Sequence, residues 1–296
     1  MELMLNSSQK QRFVEELRHR LEEGVNLPVL PEVAQELLLV RNRATADVAD
    51  LVSIVSKDPV ISGEIIRYAR MSIFGYGDRI KTLEDAIQLV LGYEKTLHLG
   101  IGLSAGRGLP VEMDGPLGCR AFWHRSLASA TLAQALAKAL PASGRPSVGV
   151  SYLAGLMHDI GYLLFGSLYP EEFSELNKMV VKYSQIEQRD LEFHCIGISH
   201  DMMGAYLMRA WNMPEEITVA VAEHHFPDYA GQYAIYPTLV YLSHQLLCKD
   251  QIMETKDVFW AKFERVGLEE AAAQSALAGL KEIVPHLELM VDKLAK

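Results

Sequence analysis

Hydrophobic residues recur every three or four positions along most of this 296-residue chain, and this periodicity constrains the fold more than any other feature. Stretches such as Glu32–Arg41 and Glu215–Glu223 place apolar side chains on one face of a helix, and proline, glycine or Asp-Pro pairs separate many such stretches. Sustained alternation of apolar and polar residues, which is typical of a half-buried strand, is absent from the sequence. The sequence therefore predicts an all-α protein, built as a multi-helix bundle.

The segment from Gly106 to Gly118 holds four glycines and two prolines, and we place a boundary between two helical lobes there. The predicted parts are an N-terminal helical lobe (1–115), a second helical lobe (116–250) and a C-terminal helical extension (251–296). We expect the first helix to begin at a capping box, Ser8 to Gln11, and to end near Glu23. The other predicted helices are Asp47–Ser56, Val60–Ala69, Thr82–Leu91, Cys119–Leu140, Val148–Phe165, Glu171–Tyr183, Glu187–Asn212, Thr238–Cys248 and Leu268–Leu294.

Charge and cysteine content exclude several classes of function. The net charge is -10, and no cluster of lysine and arginine is present that could displace counterions from phosphates, so we expect no direct binding of nucleic acid. The three cysteines form no C-x-x-C pair, which argues against a disulfide scaffold or a cysteine zinc site and favours a reducing compartment.

A membrane segment is not predicted either. The N-terminus lacks the apolar core of a signal peptide, and the most apolar stretch, Val148 to Gly166, carries His158 and Asp159 at its middle. We therefore expect a cytoplasmic protein with no membrane partner.

Histidines in or beside apolar helices are the candidates for chemistry. An adjacent pair, His158-Asp159, would give one helix two donors about 100° apart around its axis. Neutral imidazole and carboxylate suit borderline divalent metals, and helices that carry one or two donors each can converge on one centre. A single such histidine is more often a hydrogen-bonded core residue than a ligand, so the prediction rests on the whole set. The predicted ligands are His124, His158, Asp159, His200, His224, His225 and His244.

The order of these residues resembles the HD superfamily of metal-dependent phosphohydrolases, including its HD-GYP branch, in which His158-Asp159-Ile160-Gly161 matches the HDIG motif. The resemblance to the HDOD branch is broader and extends from about Val25 to about Leu247. It implies an HD-like helical core in the second lobe. The residues that carry it include Leu27-Pro28-x-Leu30-Pro31, Lys57-Asp58-Pro59, Tyr68-Ala69, Phe122 to Ser126, His200-x-x-x-Gly204, Glu223-His224-His225 and Trp211 to Pro214.

The sequence departs from the hydrolase pattern at positions that matter for catalysis. Tyr162 stands where HD-GYP enzymes carry a lysine that assists the leaving group, and Arg120 replaces a metal-binding glutamate. Residues 226–231 keep neither the glycine pattern nor the GYP sequence of the following loop. The terminal aspartate is replaced by His244, which is still a candidate ligand. The metal ligands are thus largely retained, whereas the catalytic accessories are lost.

The resemblance implies a bacterial signalling module that holds one or two ions of iron, manganese, nickel or zinc and is non-catalytic or weakly catalytic. An active phosphohydrolase or cyclic-nucleotide phosphodiesterase is the alternative, and a helical scaffold with a vestigial, empty site is a third. Without a recognisable receiver or GGDEF domain, the chain is expected to act on a signalling protein partner. Arg120 and Arg125 flank His124 and could bind a phosphate-containing small ligand, or could form salt bridges with neighbouring acids.

Overall fold

A computed structural model describes residues 6–23, 27–112, 114–248 and 256–295 of the chain, and these residues contain helices and turns but no strand. The prediction of an all-α helical bundle is confirmed. The helices are α1 (Ser7–Glu23), α2 (Glu32–Arg41), α3 (Val48–Val55), α4 (Pro59–Ala69), α5 (Leu83–Asp85, continued by a π-helical segment, Ala86–Leu91), α6 (Tyr93–Arg107), α7 (Cys119–Ala139), α8 (Val148–Met157), α9 (Ile160–Leu168), α10 (Pro170–Lys182), α11 (Gln188–Cys195), α12 (His200–Ala210), α13 (Glu215–Glu223), α14 (Ile235–Leu247), α15 (Lys256–Glu264) and α16 (Glu270–Leu294).

Polar side chains define several helix starts. The Asp58 carboxylate accepts hydrogen bonds from the backbone N–H groups of Val60 and Ile61, and Pro59 occupies the first turn of α4, where its missing N–H costs nothing. The capping box predicted at Ser8 is wrong in position. The reciprocal bonds join Asn6 and Gln9 instead, because the helix already begins at Ser7.

Two stretches predicted as single helices are each broken in two. The helix expected over Val148–Phe165 ends at Met157 and restarts at Ile160, so His158 and Asp159 lie at the junction of α8 and α9. The helix expected over Glu187–Asn212 is interrupted between α11 and α12, where Gly197 takes a φ of +85°. These breaks were not visible in the hydrophobic pattern, because the residues on both sides of each break stay apolar.

Close contacts between backbones hold the broken helices in place. A Cβ atom at Gly161 would lie only 1.9 Å from the carbonyl oxygen of His200, so α9 and α12 pack with their backbones in contact. A Cβ atom at Gly155 would lie 2.6 Å from Cα of Ala130, which brings α8 equally close to α7. Glycine is required at both positions, because any side chain would separate helices that carry the candidate ligands.

Helix α6 was not predicted, although it lies at the centre of the molecule. It packs between α2 and α8, and its residues from Thr96 to Gly106 are all buried. A helix that is buried on every side has no polar face and therefore no amphipathic periodicity. Because α6 joins the helices before residue 115 to those after it in one core, the division into lobes remains a prediction.

The C-terminal part packs against the body of the protein. Helix α16 lies along α7 and also contacts α4 and α14. The preceding helix α15 lies within the predicted helical extension but was not predicted as a separate helix. The predicted start of the extension, residues 251–255, lies outside the described residues.

One stretch, Val148–Leu168, is long and apolar enough to cross a membrane by length and composition. Its most apolar window is 94% buried inside the fold, which is the environment of core helices such as α8 and α9.

Candidate metal centre

Five of the predicted histidines and Asp159 come together where four helix ends meet. His158 and Asp159 lie at the α8–α9 junction, and His200 begins α12. His224 and His225 follow α13, and His244 lies in α14. We call this group the His/Asp cluster. His158, Asp159, His200 and His224 are buried, while His225 and His244 are half-buried.

Three imidazole rings of the cluster are oriented by oxygen atoms on their outer side. Nδ1 of His158 lies 2.7 Å from the carbonyl oxygen of Gly155, and Nδ1 of His224 lies 2.9 Å from that of Val221. Nδ1 of His200 lies 2.8 Å from a carboxylate oxygen of Glu192. A carbonyl or carboxylate oxygen can only accept, so each Nδ1 carries the proton. In its neutral form each ring then presents an Nε2 lone pair to the interior of the cluster.

These inward-facing nitrogen atoms approach one another closely. Nε2 of His200 lies 3.4 Å from Nε2 of His224 and 3.0 Å from Nε2 of His225. His225 can donate from Nε2 to its neighbour, but neutral His200 and His224 cannot hydrogen-bond to each other, because both have their proton on Nδ1. A tetrahedral ion with Zn–N distances near 2.0–2.1 Å would place two ligand nitrogens about 3.3 Å apart. The His200–His224 contact therefore has the spacing of two ligands of one ion.

Asp159 lies between two groups of histidines. Its Oδ1 atom is 3.6 Å from Nε2 of His200 and 3.3 Å from Nε2 of His158. His158 in turn faces His244, with 2.8 Å between the Nε2 atoms. Because no carbonyl oxygen of the described part of the chain holds Nδ1 of His244, this pair can be joined by an ordinary N–H···N hydrogen bond. The stronger indication of a cation site is thus at His200, His224 and His225. Their ligand atoms lie close enough together to bind a single ion.

The environment keeps most of these groups in the form that binds metal. Burial, followed by the neighbouring histidines, holds the pKa of His224 well below its ordinary value. Burial, followed by His200, lowers the pKa of His225 to about 3. Burial alone would raise the pKa of Asp159, but His158 and the Arg125 guanidinium hold it well below the usual range. Carboxylate and neutral imidazole are the metal-binding forms of these side chains.

His200 is the exception. Burial alone would lower its pKa, but the carboxylates of Glu192, Asp159 and Asp201 together raise the pKa above the ordinary value, with Glu192 contributing most. A proton on Nε2 would give His200 a positive charge between Glu192 and Asp159. A metal ion at the same place would supply that charge, so a proton and a metal compete for His200.

Glu192 and Tyr162 support His200 and were not predicted to do so. The Tyr162 hydroxyl donates to Glu192, and its ring stacks on the His200 ring, with 4.3 Å between centroids and 18° between planes. Burial, followed by the charge of Glu192, raises the pKa of Tyr162 well above its ordinary value, so the phenol remains a donor. Glu192 lies in α11, on the other side of a helix break from His200. Only the tertiary structure brings the two together.

Both arginines beside His124 pair with acids, as the salt-bridge alternative predicts. Nε of Arg125 donates to Oδ2 of Asp159 at 2.7 Å, which links α7 to the His/Asp cluster. Arg120 pairs with Glu288 and Asp292 of α16.

His124 does not join the cluster, which corrects the prediction that it converges with the other ligands. Its side chain is 46% exposed, and Nε2 lies 3.0 Å from a carboxylate oxygen of Glu288 in α16. Neighbouring residues in a helix point about 100° apart. Because Arg125 faces Asp159, His124 faces α16 instead. It lines a cavity of about 340 Å³ together with Arg120, Arg125 and Glu288.

Comparison with known proteins identifies a family and several similar proteins. A family model for the HDOD domain matches residues 27–227. An uncharacterised protein from Treponema pallidum is 25% identical over 206 residues, which is 68% of this chain and 38% of that protein. The match thus spans well under half the length of this relative.

Solved structures share the fold. A protein from Marinobacter aquaeolei, provisionally described as a signal transduction protein, has a TM-score of 0.81 and 27% identity, over 99% of this chain and 67% of that one. An HDOD domain protein of unknown function from Geobacter sulfurreducens has a TM-score of 0.73 and 20% identity, over 96% and 98% of the two chains. A protein from Shewanella amazonensis, provisionally described as a metal-dependent phosphohydrolase, has a TM-score of 0.66 and 19% identity, over 96% and 99%. The last two resemblances concern the fold alone.

Proposed function

Because the chain belongs to the HDOD family, we propose that it is a cytoplasmic bacterial signal-transduction module whose His/Asp cluster binds a divalent transition metal and hydrolyses phosphate esters weakly or not at all. The observation that carries the metal proposal is the contact between His200 and His224. Each of these rings has its Nδ1 proton fixed by an oxygen atom, and their Nε2 atoms face each other at 3.4 Å. A positive charge between them, supplied by a metal ion or by a proton on Nε2 of His200, removes the repulsion of two lone pairs in a buried site.

The donor set fits such an ion. His200, His224 and His225 would supply three imidazole nitrogens. Oδ1 of Asp159, 3.6 Å from Nε2 of His200, would supply a carboxylate oxygen. Nitrogen donors combined with one carboxylate suit iron, manganese, nickel or zinc better than magnesium or calcium. His158 and His244, on the other side of Asp159, are the residues that would hold a second ion.

Metal analysis tests the proposal directly. Protein purified without chelator or added metal should contain at least one transition-metal ion per chain, and chelator should lower its melting temperature because metal binds the folded state alone. His224→Ala should lose most of the metal. His98→Ala, which removes a buried histidine outside the cluster, should keep it. Metal-free wild-type protein that takes up no added iron, manganese, nickel or zinc would overturn the proposal.

Two contacts argue against efficient hydrolysis. A hydrolase of this type needs an activated water, neutralisation of charge on phosphate and a proton for the leaving oxygen, and a bound metal would supply the first two. Tyr162 stands where related enzymes carry lysine, but it is 1% exposed and its hydroxyl is held by Glu192 and His200. Arg125 holds Oδ2 of Asp159, which leaves mainly Oδ1 for metal.

Activity measurements separate this proposal from the phosphohydrolase alternative. We expect no robust turnover of cyclic di-GMP, nucleoside monophosphates or an aryl phosphate with iron, manganese or nickel supplied. Turnover of any of these that disappears in Asp159→Ala would establish the hydrolase instead. The cavity of about 340 Å³ beside Arg125 is where a phosphate ester could approach, so Arg120→Ala should impair that activity if it exists.

We further propose that the module acts through a signalling protein partner. The support is the description of the Marinobacter aquaeolei protein, with which this chain shares 27% identity. Cross-linking in cells, followed by identification of captured proteins with wild type and with metal-depleted His224→Ala, tests this step. We expect the Lys178→Gln control to capture the same proteins at the same yield as wild type, and His224→Ala to capture them at a lower yield. This result would show that partner binding depends on the bound metal.

A further inference from the structure

A second cavity lies away from the His/Asp cluster, between α7, α16 and the N-terminal helices. Its volume is about 540 Å³, which is within the range of roughly 300–1,000 Å³ that is typical of small-molecule sites. We call it the α7–α16 cavity. None of the seven predicted metal ligands lines it.

Two lysines give this cavity a positive charge. Lys95 of α6 and Lys138 of α7 both line it, and none of the residues that line it is acidic. Lys95 donates to the Tyr68 hydroxyl at 2.9 Å, and its ammonium group lies 4.7 Å from the centre of the Tyr68 ring. The ammonium is therefore held in place by a neutral group, and no carboxylate of the described residues forms an ion pair with it.

Lys138 is the second charged group, and its surroundings disfavour its protonated form. Burial, followed by the like charge of Lys95, lowers the pKa of Lys138. Elsewhere on this acidic chain, cations such as Arg41, Lys57 and Arg107 form ion pairs with carboxylates. An anion between Lys95 and Lys138 would remove their repulsion and give both a partner.

Small and aliphatic side chains form the rest of the wall. Ala135 of α7 faces the cavity, as do Ala276, Leu280 and Ile283 of α16. A Cβ atom at Gly279 would have no other heavy atom within 4 Å. The space between the two helices thus arises because small residues face one another there, and it would accommodate an apolar group.

We propose that the α7–α16 cavity binds an amphiphilic organic anion, with its carboxylate, phosphate or sulfonate group between Lys95 and Lys138 and its apolar body between α7 and α16. The charge of the two lysines selects the anion, and the alanine, leucine and isoleucine wall selects the apolar body. This binding does not depend on metal in the His/Asp cluster, so it stands or falls independently of the proposed function.

Two probes share this chemistry and differ in the apolar body. 8-Anilinonaphthalene-1-sulfonate carries an aromatic body and reports binding by fluorescence. Decanoate carries an aliphatic one and can be measured by calorimetry and by displacement of the fluorescent probe. Decanol and inorganic phosphate each supply only half of the chemistry. We expect the protein to bind at least one of the two amphiphiles at micromolar concentration, and to bind decanol and phosphate at least tenfold more weakly.

Matched variants locate the binding. Lys138→Gln should weaken it about tenfold, because a charge-assisted contact is lost. Lys178→Gln, which removes an exposed lysine of α10, should not. Gly279→Leu should abolish binding by filling the cavity. Gly63→Leu is its control, because Gly63 is also a helical glycine with no atom within 4 Å of a Cβ. Both glycine variants should fold, since leucine favours helix more than glycine does.

Each outcome decides the proposal. If binding is weakened by Lys138→Gln and Gly279→Leu but not by their controls, the site is established, and the better probe identifies the aromatic or aliphatic body. If neither amphiphile binds below millimolar concentration, or if inorganic phosphate binds as tightly, the proposal is wrong. It is also wrong if the cavity variants bind like Lys178→Gln and Gly63→Leu.

Discussion

The His/Asp cluster and the outer face of α7 contain the same kind of side chain in opposite surroundings. His200 and His224 are buried, and an oxygen atom holds Nδ1 of each ring so that Nε2 points inward. His124 is 46% exposed, and its Nε2 atom faces a carboxylate of α16. In the sequence these histidines looked equivalent, because each lies in or beside an apolar helix.

We infer from this difference that the second hydrogen-bond partner of each imidazole sets whether its Nε2 lone pair is free to bind a metal. A ring whose Nδ1 is fixed by a backbone carbonyl has one free lone pair in a defined direction, which is the state that a metal ligand requires. A ring on the surface whose Nε2 atom faces a carboxylate of Glu288 has no such inward-directed lone pair. The predictions below test this contrast, beginning with the largest expected effect.

Asp159→Ala should have the largest effect on stability and metal binding, because it removes the carboxylate of the buried His/Asp cluster. Asp159 is 3% exposed and pairs with Arg125 at 2.7 Å. Without it, a guanidinium remains largely buried and unpaired, which typically costs about 3–5 kcal/mol. Chemical unfolding of metal-free protein should show this loss, and metal analysis should show little bound ion.

The matched control is Asp228→Ala. Asp228 pairs with Arg265 on the surface, and its side chain is 85% exposed. Removing an exposed pair should change the free energy of unfolding by less than about 1 kcal/mol. If both aspartate variants lost the same free energy of unfolding, burial would not be what makes the cluster's ion pair stronger than the surface pair.

The sequence predicted much of this fold because most helices are amphipathic and have recognisable ends. The bounds of α2 and α13 were predicted to the residue. Helix α6 was missed because burial on all sides removes the polar face that periodicity needs. The breaks after Met157 and Cys195 were missed because they depend on contacts between distant backbones, such as that of Gly161 with His200.

The candidate site was predictable in part for a similar reason. The order of histidines pointed to His158, His200, His224, His225 and His244, which the structure brings together. It could not identify Glu192, whose role depends on a contact across the α11–α12 break. Nor could it separate His124 from the others, because a residue's position around α7 relative to α16 is a tertiary property.

His98 tests whether burial alone keeps a histidine neutral. It is 1% exposed, and burial lowers its pKa to about 4 against the opposing bond to the Glu94 carbonyl. Glu94, Arg41 and Glu216 are the charged groups that act on it. Because the folded pKa lies below the unfolded value, its contribution to stability is present above pH 6.5 and is lost as the pH falls toward 4. The loss should reach about 3 kcal/mol.

The measurement is urea unfolding of metal-free wild type and His98→Asn between pH 4.5 and 7.5. The difference between their free energies of unfolding should shrink as the pH falls, because only wild type must protonate this ring on unfolding. Leu97→Ala, a buried neighbour that does not titrate, should differ from wild type by the same amount at every pH. A pH-independent difference for His98→Asn would show that burial is not what sets its charge.

Glu192→Ala should loosen the cluster without removing a ligand. Glu192 accepts from Nδ1 of His200 at 2.8 Å and from the Tyr162 hydroxyl. Removing a residue that hydrogen-bonds to a metal ligand typically lowers metal affinity by about 10–100-fold. Titration of metal-free protein should show a loss in this range for Glu192→Ala and a smaller one for Glu192→Gln. Glu175→Ala, in which an exposed glutamate of α10 is removed, should bind metal like wild type.

His124→Ala should have the smallest effect, and it is the sharpest test of the contrast. His124 is half-exposed and its only ion-pair partner among the described residues is Glu288. Removing it should cost less than about 1 kcal/mol of stability and leave metal affinity unchanged. His225→Ala, which removes a half-buried ring 3.0 Å from His200, should lower metal affinity instead. If both variants lose metal equally, His124 belongs to the centre after all. In that case its ring must leave Glu288 to reach the ion, so Glu288→Ala should raise metal affinity, whereas a surface role for His124 predicts no change.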